Sequence, residues 1–264
     1  MESPESPRRF LDTVADYQKY RLDYPARLLQ RLAALMGLKQ GDAVLDLGCG
    51  PGNLALPLAR MGLAVTAMDP ESQMLEAARA AAEADGLAID FRQGGSGDLA
   101  PAYGPFRLAV IGRAFHWMDR TATLAMLDRI VAADGGVALF HDAHPPVEEN
   151  AWYKVFGKIS EKYGRARMAH VKERGAGGHR RYEPYLFASA FTQLDTLSVT
   201  VRQPLTEDAI VGRAYSTSVC ARAALGERAD EFERALRSAL RELSPDGRFT
   251  EVAELVAVLA RRPA

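Results

Sequence analysis

The sequence has no apolar run of the 18 or so residues that a membrane-spanning helix needs. Its first ten residues, "MESPESPRRF", hold no apolar core of the kind that marks a secretory signal. Neither sign of charge dominates: 33 Lys plus Arg stand against 34 Asp plus Glu, leaving −1. That balance excludes a bulk electrostatic footprint for nucleic acid. Cysteine is scarce, with only Cys49 and Cys220. Two thiols make no disulfide framework, and without clustered histidines they make no zinc site. Internal repeats and low-complexity tracts are also missing. These absences predict a soluble, cytoplasmic protein with neither nucleic acid nor membrane as a partner, and they leave the oligomeric state open.

What is present is enough chain for a substantial core. At 264 residues, 48% hydrophobic and 25% charged, the balance is ordinary for a globular domain. A chain near 300 residues buries about 75% of its unfolded surface. We read residues 1–264 as one domain. Residues 1–8 are polar with two prolines, the composition of a disordered tail. Residues 10–22 predict a short helix carrying Phe10, Tyr17 and Tyr20, so that 1–24 forms a tail and lid. Behind Pro25, "ARLLQRLAALMG" spaces its apolar residues by three and four and stops at Gly37.

Strands and helices then alternate. The strands are "AVLDLG", "AVTAMD", "AIDFRQ", "FRLAVIG" and "VALFHD". The helices are "NLALPLARMG", "PESQMLEAARAAAEADG" and "MDRTATLAMLDRIVAADGG", the last with Gly135 and Gly136 as its stop. Such alternation implies a parallel sheet covered on both faces. After His141 the pattern breaks. Residues 142–190 are rich in aromatics and stand outside the alternation, which marks them as a substrate cap; "GAGGHRR" within them reads as mobile. "TQLDTLSVTVRQ" is a strand, "EDAIVGRAYSTS" and "ADEFERALRSALREL" are helices, and "EVAELVAVLARR" is a closing strand with helix as the alternative.

The most informative stretch is "VLDLGCGPGN", Val44 to Asn53. It is a strand running into a glycine turn at the carboxyl edge of the sheet, where open parallel sheets bind ligands. A dinucleotide fingerprint would place its third glycine at position 53, where Asn53 stands instead. Asp46, inside the strand, suits a cationic ligand better than a pyrophosphate; the competing reading is an acid capping nearby helix amides. Asp69 ends the next strand, where a carboxylate accepts both hydroxyls of a ribose. Asp69-Pro70 also reads as a helix N-cap followed by proline at the first position.

"VLDLGCGPGN" followed by "VTAMDPESQML" resembles motifs I and II of the class I S-adenosylmethionine-dependent methyltransferases. "YQKYRLDYP", "RAFHWMD" and the closing "ARRP" are similar to a bacterial group of mostly small-molecule methyltransferases. The resemblance runs from about Tyr17 to the C-terminus. It implies a doubly wound α/β fold with a seven-stranded sheet in the order 3-2-1-4-5-7-6, strand 7 antiparallel, and S-adenosylmethionine as cofactor. It implies that Gly48 and Gly50 let backbone approach the cofactor, with Asp46 and Asn53 beside them. Asp69 would hold the ribose, and Pro70 and Met74 would pack near adenine. Tyr17 and Arg21 would belong to the lid, Arg21 pairing with the methionine carboxylate, and Arg113 would complete the cofactor site. The group's acidic "Gly-Asp-Ala" segment is here "QGGSGD", with Gly95 at the acidic position. Adenine recognition then falls to backbone groups, to Ser96 and Gly97, or to Asp98.

The expected reaction is in-line transfer of a methyl group from the sulfonium to a small molecule. His116, with an ordinary pKa near neutrality, is the first candidate for a base or substrate-orienting group, and Tyr20 the second. Trp117, His141, Trp152 and Tyr153 are the substrate-side candidates. His116 and Trp117 as mere packing is the competing reading. His141, Asp142 and His144 read as polar pocket lining rather than a metal site. Two alternatives use the same cofactor: an enzyme that cyclises it and releases methylthioadenosine, and a binding protein without turnover.

Overall fold

The computed structural model describes residues 14–173 and 182–263. The predicted tail, Phe10 and the "GAGGHRR" segment lie outside the described residues. Seven strands form one sheet: β1 (Ala43–Leu47), β2 (Ala64–Asp69), β3 (Ile89–Gln93), β4 (Phe106–Gly112), β5 (Val131–Ala143), β6 (Gln193–Thr206) and β7 (Arg248–Arg261). Their order is β3-β2-β1-β4-β5-β7-β6. β1 to β5 pair in parallel, and β7 runs antiparallel to both β5 and β6. The order and the reversed strand are those the resemblance implies.

Ten helices complete the described residues: α1 (Val14–Tyr20), α2 (Ala26–Met36), α3 (Ala55–Arg60), α4 (Ser72–Ala84), α5 (Arg120–Ile130), α6 (Ala151–Glu173), α7 (Glu183–Phe187), α8 (Glu207–Tyr215), α9 (Arg222–Leu225) and α10 (Ala229–Leu243). Both sheet faces are buried, and successive strand residues serve opposite faces. On one face Val44, Ala138, Phe140, Leu255, Ala257 and Leu259 meet Leu28, Leu29 and Leu32 of α2. On the other, Leu45, Leu47, Val137, Leu139, Val256 and Val258 meet Leu124, Leu127 and Ile130 of α5. Burial on both faces explains the nearly unbroken apolar run of β7, whose strand reading holds over the helical one. No helix among the described residues is long and apolar enough to cross a membrane.

The structure departs from the sequence reading at two places. α5 ends at Ile130 rather than at Gly135, and both glycines lie inside β5. A Cβ on Gly135 would come within 2.9 Å of the Arg107 carbonyl oxygen. The pair marks a close approach of backbones, not a helix stop. Second, the helical layer beyond the sheet is drawn from two stretches, not from 142–190 alone. α6 packs on α8 and α10 around a third apolar cluster that includes Trp152, Tyr163, Phe232 and Leu236.

α8 also seats the N-terminal helix. A Cβ on Gly212 would lie 2.1 Å from the Tyr20 ring. Alanine is the better helix former by about 1 kcal/mol, yet here its methyl would force α1 off α8. Gly212→Ala is therefore expected to lower stability, by about 1–3 kcal/mol of overpacking strain. Urea unfolding of wild type and variant measures it; a gain in stability would contradict the packing of α1 on α8.

Candidate functional site

The strand order reverses between β1 and β4, and ligands of open α/β sheets bind at that crevice. A cavity of about 680 Å³ opens there, within the usual size range of ligand pockets. Its floor is the turn after β1. Gly48, Gly50 and Gly52 take φ of 73°, 54° and 95°, left-handed values that glycine adopts without strain. The Met68 carbonyl accepts hydrogen bonds from the Gly48 and Cys49 N–H groups at 2.7 and 3.0 Å, which fixes the turn to the end of β2. A Cβ on Gly48 would meet that of Ala114 at 2.6 Å, whereas one on Gly50 would meet nothing within 4 Å. Gly50 thus leaves its backbone open to the cavity, and Gly48 lets the β4 rim close in beside it.

Asp69 stands on the cavity wall, 7% exposed. One carboxylate oxygen accepts the Gly50 N–H at 2.8 Å and the other the Glu71 N–H at 2.9 Å. Burial raises its pKa, and these two bonds oppose the rise. The helix it precedes is capped at Glu71, so Asp69 does not act as the N-cap residue. Pro70 and Met74 line the cavity beside it. Around the turn after β3, Ser96 and Asp98 line it too, while Gly97 between them does not. Asp98 accepts the Gly95 N–H at 2.8 Å.

The N-terminal helix brings Tyr17 and Arg21 to the same cavity. The Arg21 guanidinium lies 5.1 Å from the Tyr17 ring and donates to the Ser216 carbonyl at 3.1 Å. Its Nε is buried without a hydrogen-bond partner. Arg113 adopts φ 57°, an uncommon value for a residue with a side chain. Its guanidinium donates to the Leu22 carbonyl at 2.6 Å and to the Tyr24 hydroxyl at 3.0 Å, and lies 3.5 Å from Asp142. It clips the segment after α1 onto the β4 rim.

Further round the rim come His116 and Trp117, with ring centroids 4.5 Å apart, then His141 against Tyr182 at 5.7 Å, then Tyr153. Four other predicted residues are placed off the cavity. Asp46 is buried behind the turn, where burial pushes its carboxyl up to about 8 against the opposing Ala55 N–H at the start of α3. Asp46 does not line the cavity, and neither of its carboxyl oxygens makes a hydrogen bond. Asn53 donates to Asp23 at 3.1 Å instead of facing a ligand. Tyr20 packs its ring against Gly212, and its carbonyl accepts from Arg213 at 3.1 Å. Trp152 is 1% exposed in the third cluster and donates to the Thr250 carbonyl at 3.2 Å.

The sequence reading missed Glu251 altogether. It is fully buried on β7 and bonded to Arg213 of α8 through both oxygens. It also meets His144 Nε2 at 2.7 Å and Gln203 Nε2 at 2.8 Å. Arg213 and His144 both reach the cavity wall. The visible signal was an acid on the apolar parity of a buried strand; its partners lie 38 and 107 residues away.

Residues 44–135 match a family described as a methyltransferase domain. Over 53 residues, 20% of this chain and 21% of the relative, the chain is 55% identical to the ubiquinone biosynthesis O-methyltransferase of Methylocella silvestris. Over 116 residues, 43% of this chain and 42% of the relative, it is 33% identical to an uncharacterized protein of Mycobacterium tuberculosis. The chain thus spans less than half the length of these curated relatives. A solved structure of an S-adenosylmethionine-dependent methyltransferase from Thiobacillus denitrificans, in complex with S-adenosyl-L-homocysteine, superposes with a TM-score of 0.51 at 19% identity, covering 97% of this chain and 99% of that one. That likeness shows the fold, the seven-stranded class I methyltransferase sheet.

The Glu251 cluster makes a pH prediction. Burial alone would raise its carboxyl, but bonds from His144, Arg213 and Gln203 outweigh burial and bring it to about 2, below its ordinary 4.5. A carboxyl depressed on folding stabilises the native state above its unfolded pKa, and that stability is lost as pH falls toward the folded value. Stability should therefore decline from about pH 4.5 downward, and Glu251→Gln should flatten that slope. Urea midpoints measured between pH 6 and 3, a range set by the reference carboxylate pKa of about 4.3, test this; equal slopes in both proteins would exclude Glu251 as the source.

Proposed function

We propose, from the match of residues 44–135 to a methyltransferase domain family, that the chain is an S-adenosylmethionine-dependent methyltransferase acting on a small molecule. One conjunction carries this reading: a glycine turn with room above Gly50, a carboxylate at Asp69, and Arg21 with an unpartnered Nε, three residues that line one cavity. These are donors and acceptors for an amino-acid carboxylate and a ribose, with no phosphate cradle between them. When bound, the cofactor supplies a methyl group made electrophilic by its sulfonium.

The chain's own residues do the rest. Asp69 keeps lone pairs for ribose hydroxyls after serving Gly50 and Glu71. Arg21 pairs with the methionine carboxylate, and its own burial, which lowers its pKa, is offset by that charge. Pro70 and Met74 would pack on adenine, and the Ser96–Asp98 turn would supply its polar contacts. Arg113 holds the segment after α1 against the rim, which keeps water out. Aromatic faces at Trp117, Tyr153 and Tyr182 wall the acceptor side, and His116 orients the acceptor. Alignment of this kind can supply about 7–11 kcal/mol of a displacement barrier. A cationic centre near an aromatic face gains roughly 0.5–2 kcal/mol more.

Two measurements test the reading. Asp69→Ala should weaken S-adenosylmethionine binding well over tenfold by calorimetry, since it removes the ribose acceptor and the anchor of the Gly50 amide; unchanged affinity would refute the ribose assignment. Wild type incubated with methyl-tritiated cofactor and a small-molecule cell extract should yield S-adenosylhomocysteine and a labelled product. His116→Ala should lower that transfer while leaving cofactor affinity within about twofold. Methylthioadenosine appearing without extract would assign the site to internal displacement instead, and tight binding without either product to a non-catalytic role.

A further inference from the structure

His144 lies immediately after β5 on the cavity wall, three strands across the rim from Asp69, roughly 14 Å at the usual strand spacing. Its side chain is 3% exposed. Nε2 sits 2.7 Å from Glu251 Oε1. Glu251 is fully buried and carries Arg213 on both oxygens and Gln203 on one. A carboxylate held by a guanidinium stays ionised, and an ionised carboxylate only accepts hydrogen bonds. Nε2 must then carry the ring proton, which leaves the lone pair on Nδ1. That Nδ1 is buried and has no hydrogen-bond partner. The ring cannot turn freely to satisfy it: Tyr153 stacks on one face at 4.1 Å, and Trp152 meets it edge-on at 5.4 Å.

An acceptor nitrogen with a fixed tautomer, buried on a residue that lines a ligand cavity, is the arrangement of a general base with its orienting acid, to which a bound acceptor must come by displacing the packing around Nδ1. We propose that His144 takes the proton from a hydroxyl group of the acceptor through Nδ1, with Glu251 as its positioning residue, so that the acceptor is a hydroxylated molecule that does not ionise unaided at neutral pH. The proposal rests on the methyl-transfer reading above. As the proton passes from the acceptor oxygen to Nδ1, the oxygen's electron pair forms the bond to the methyl carbon, and the carbon–sulfur pair returns to sulfur. The positive charge lost from the sulfonium reappears on the imidazolium, beside Glu251, so the net charge of the site is unchanged. His144 then releases the proton to water.

The test uses the full chain. Nitrogen-15 spectra of the histidine rings, with His144 identified by its loss in His144→Gln, should show Nε2 protonated and Nδ1 unprotonated in the resting protein. Glu251→Gln should abolish that preference, a change that a merely structural role for the acid would not produce. With catechol as the hydroxylated probe, His144→Ala should lose 10²–10⁴ of the methyl transfer, with cofactor affinity within twofold of wild type. This variant leaves the Arg213–Glu251 pair intact, so it stands even where Glu251→Gln fails to fold. A proton on Nδ1 in the resting protein, or transfer by His144→Ala within threefold of wild type, would overturn the proposal. If wild type binds the cofactor but methylates neither catechol nor any extract component, the methyl-transfer reading fails, and the ring spectrum alone decides whether His144 presents a basic nitrogen.

Discussion

The arrangement of the helical layer over the sheet depends on one buried charge. Glu251 has no exposure, and an ionised carboxylate in such a place is tolerable only when several donors meet it. The donors come from separate stretches: Arg213 from α8, Gln203 from β6 and His144 from the connection between β5 and α6. Arg213 goes on to bond the Tyr20 carbonyl, which draws in the end of α1. Each of these segments could rest on the apolar core in more than one way. The requirement that no donor be left facing an absent acceptor selects one of them, because breaking such a pair costs about 3–5 kcal/mol.

A second constraint operates at the opposite side of the cavity, and it is steric. The glycine turn after β1 can lie under the β4 rim only because Gly48 has no Cβ to meet Ala114. The rim in turn bends through the left-handed Arg113, whose side chain clips down Leu22 and Tyr24. Backbone in sparsely populated conformations tends to collect where a ligand must be approached closely. Here it surrounds the place where strand order reverses, between the glycine turn and a wall of aromatic rings.

Most of the fold was legible. Alternating strands and helices through His141 follow from local pattern, and the class of sheet follows from them. One side of the cavity was legible because its residues are close in sequence: Gly48, Gly50, Asp69, Pro70 and Met74, which all line it, fall within 27 positions. Residue type and neighbourhood point Asp46, Asn53, Tyr20 and Trp152 to the site, but the fold places them off the cavity, against α3, Asp23, Gly212 and Thr250. Glu251 was invisible for the converse reason. Nothing near it in the chain hints at His144 or Arg213, and the contact exists only once α8 and β7 are folded against each other.

Helices α8 to α10 are inserted between β6 and β7, which pair along fourteen residues. Side chains alternate faces along a strand, so a one-residue insertion or deletion in β7 would exchange faces between Glu251, Ala253, Leu255 and Ala257 on one side and Val256 and Val258 on the other, on whichever side of the change they fall. The loops between α8 and α10 carry no such parity. Those loops can therefore change length at little structural cost. The pleat of a single strand must be inherited unaltered.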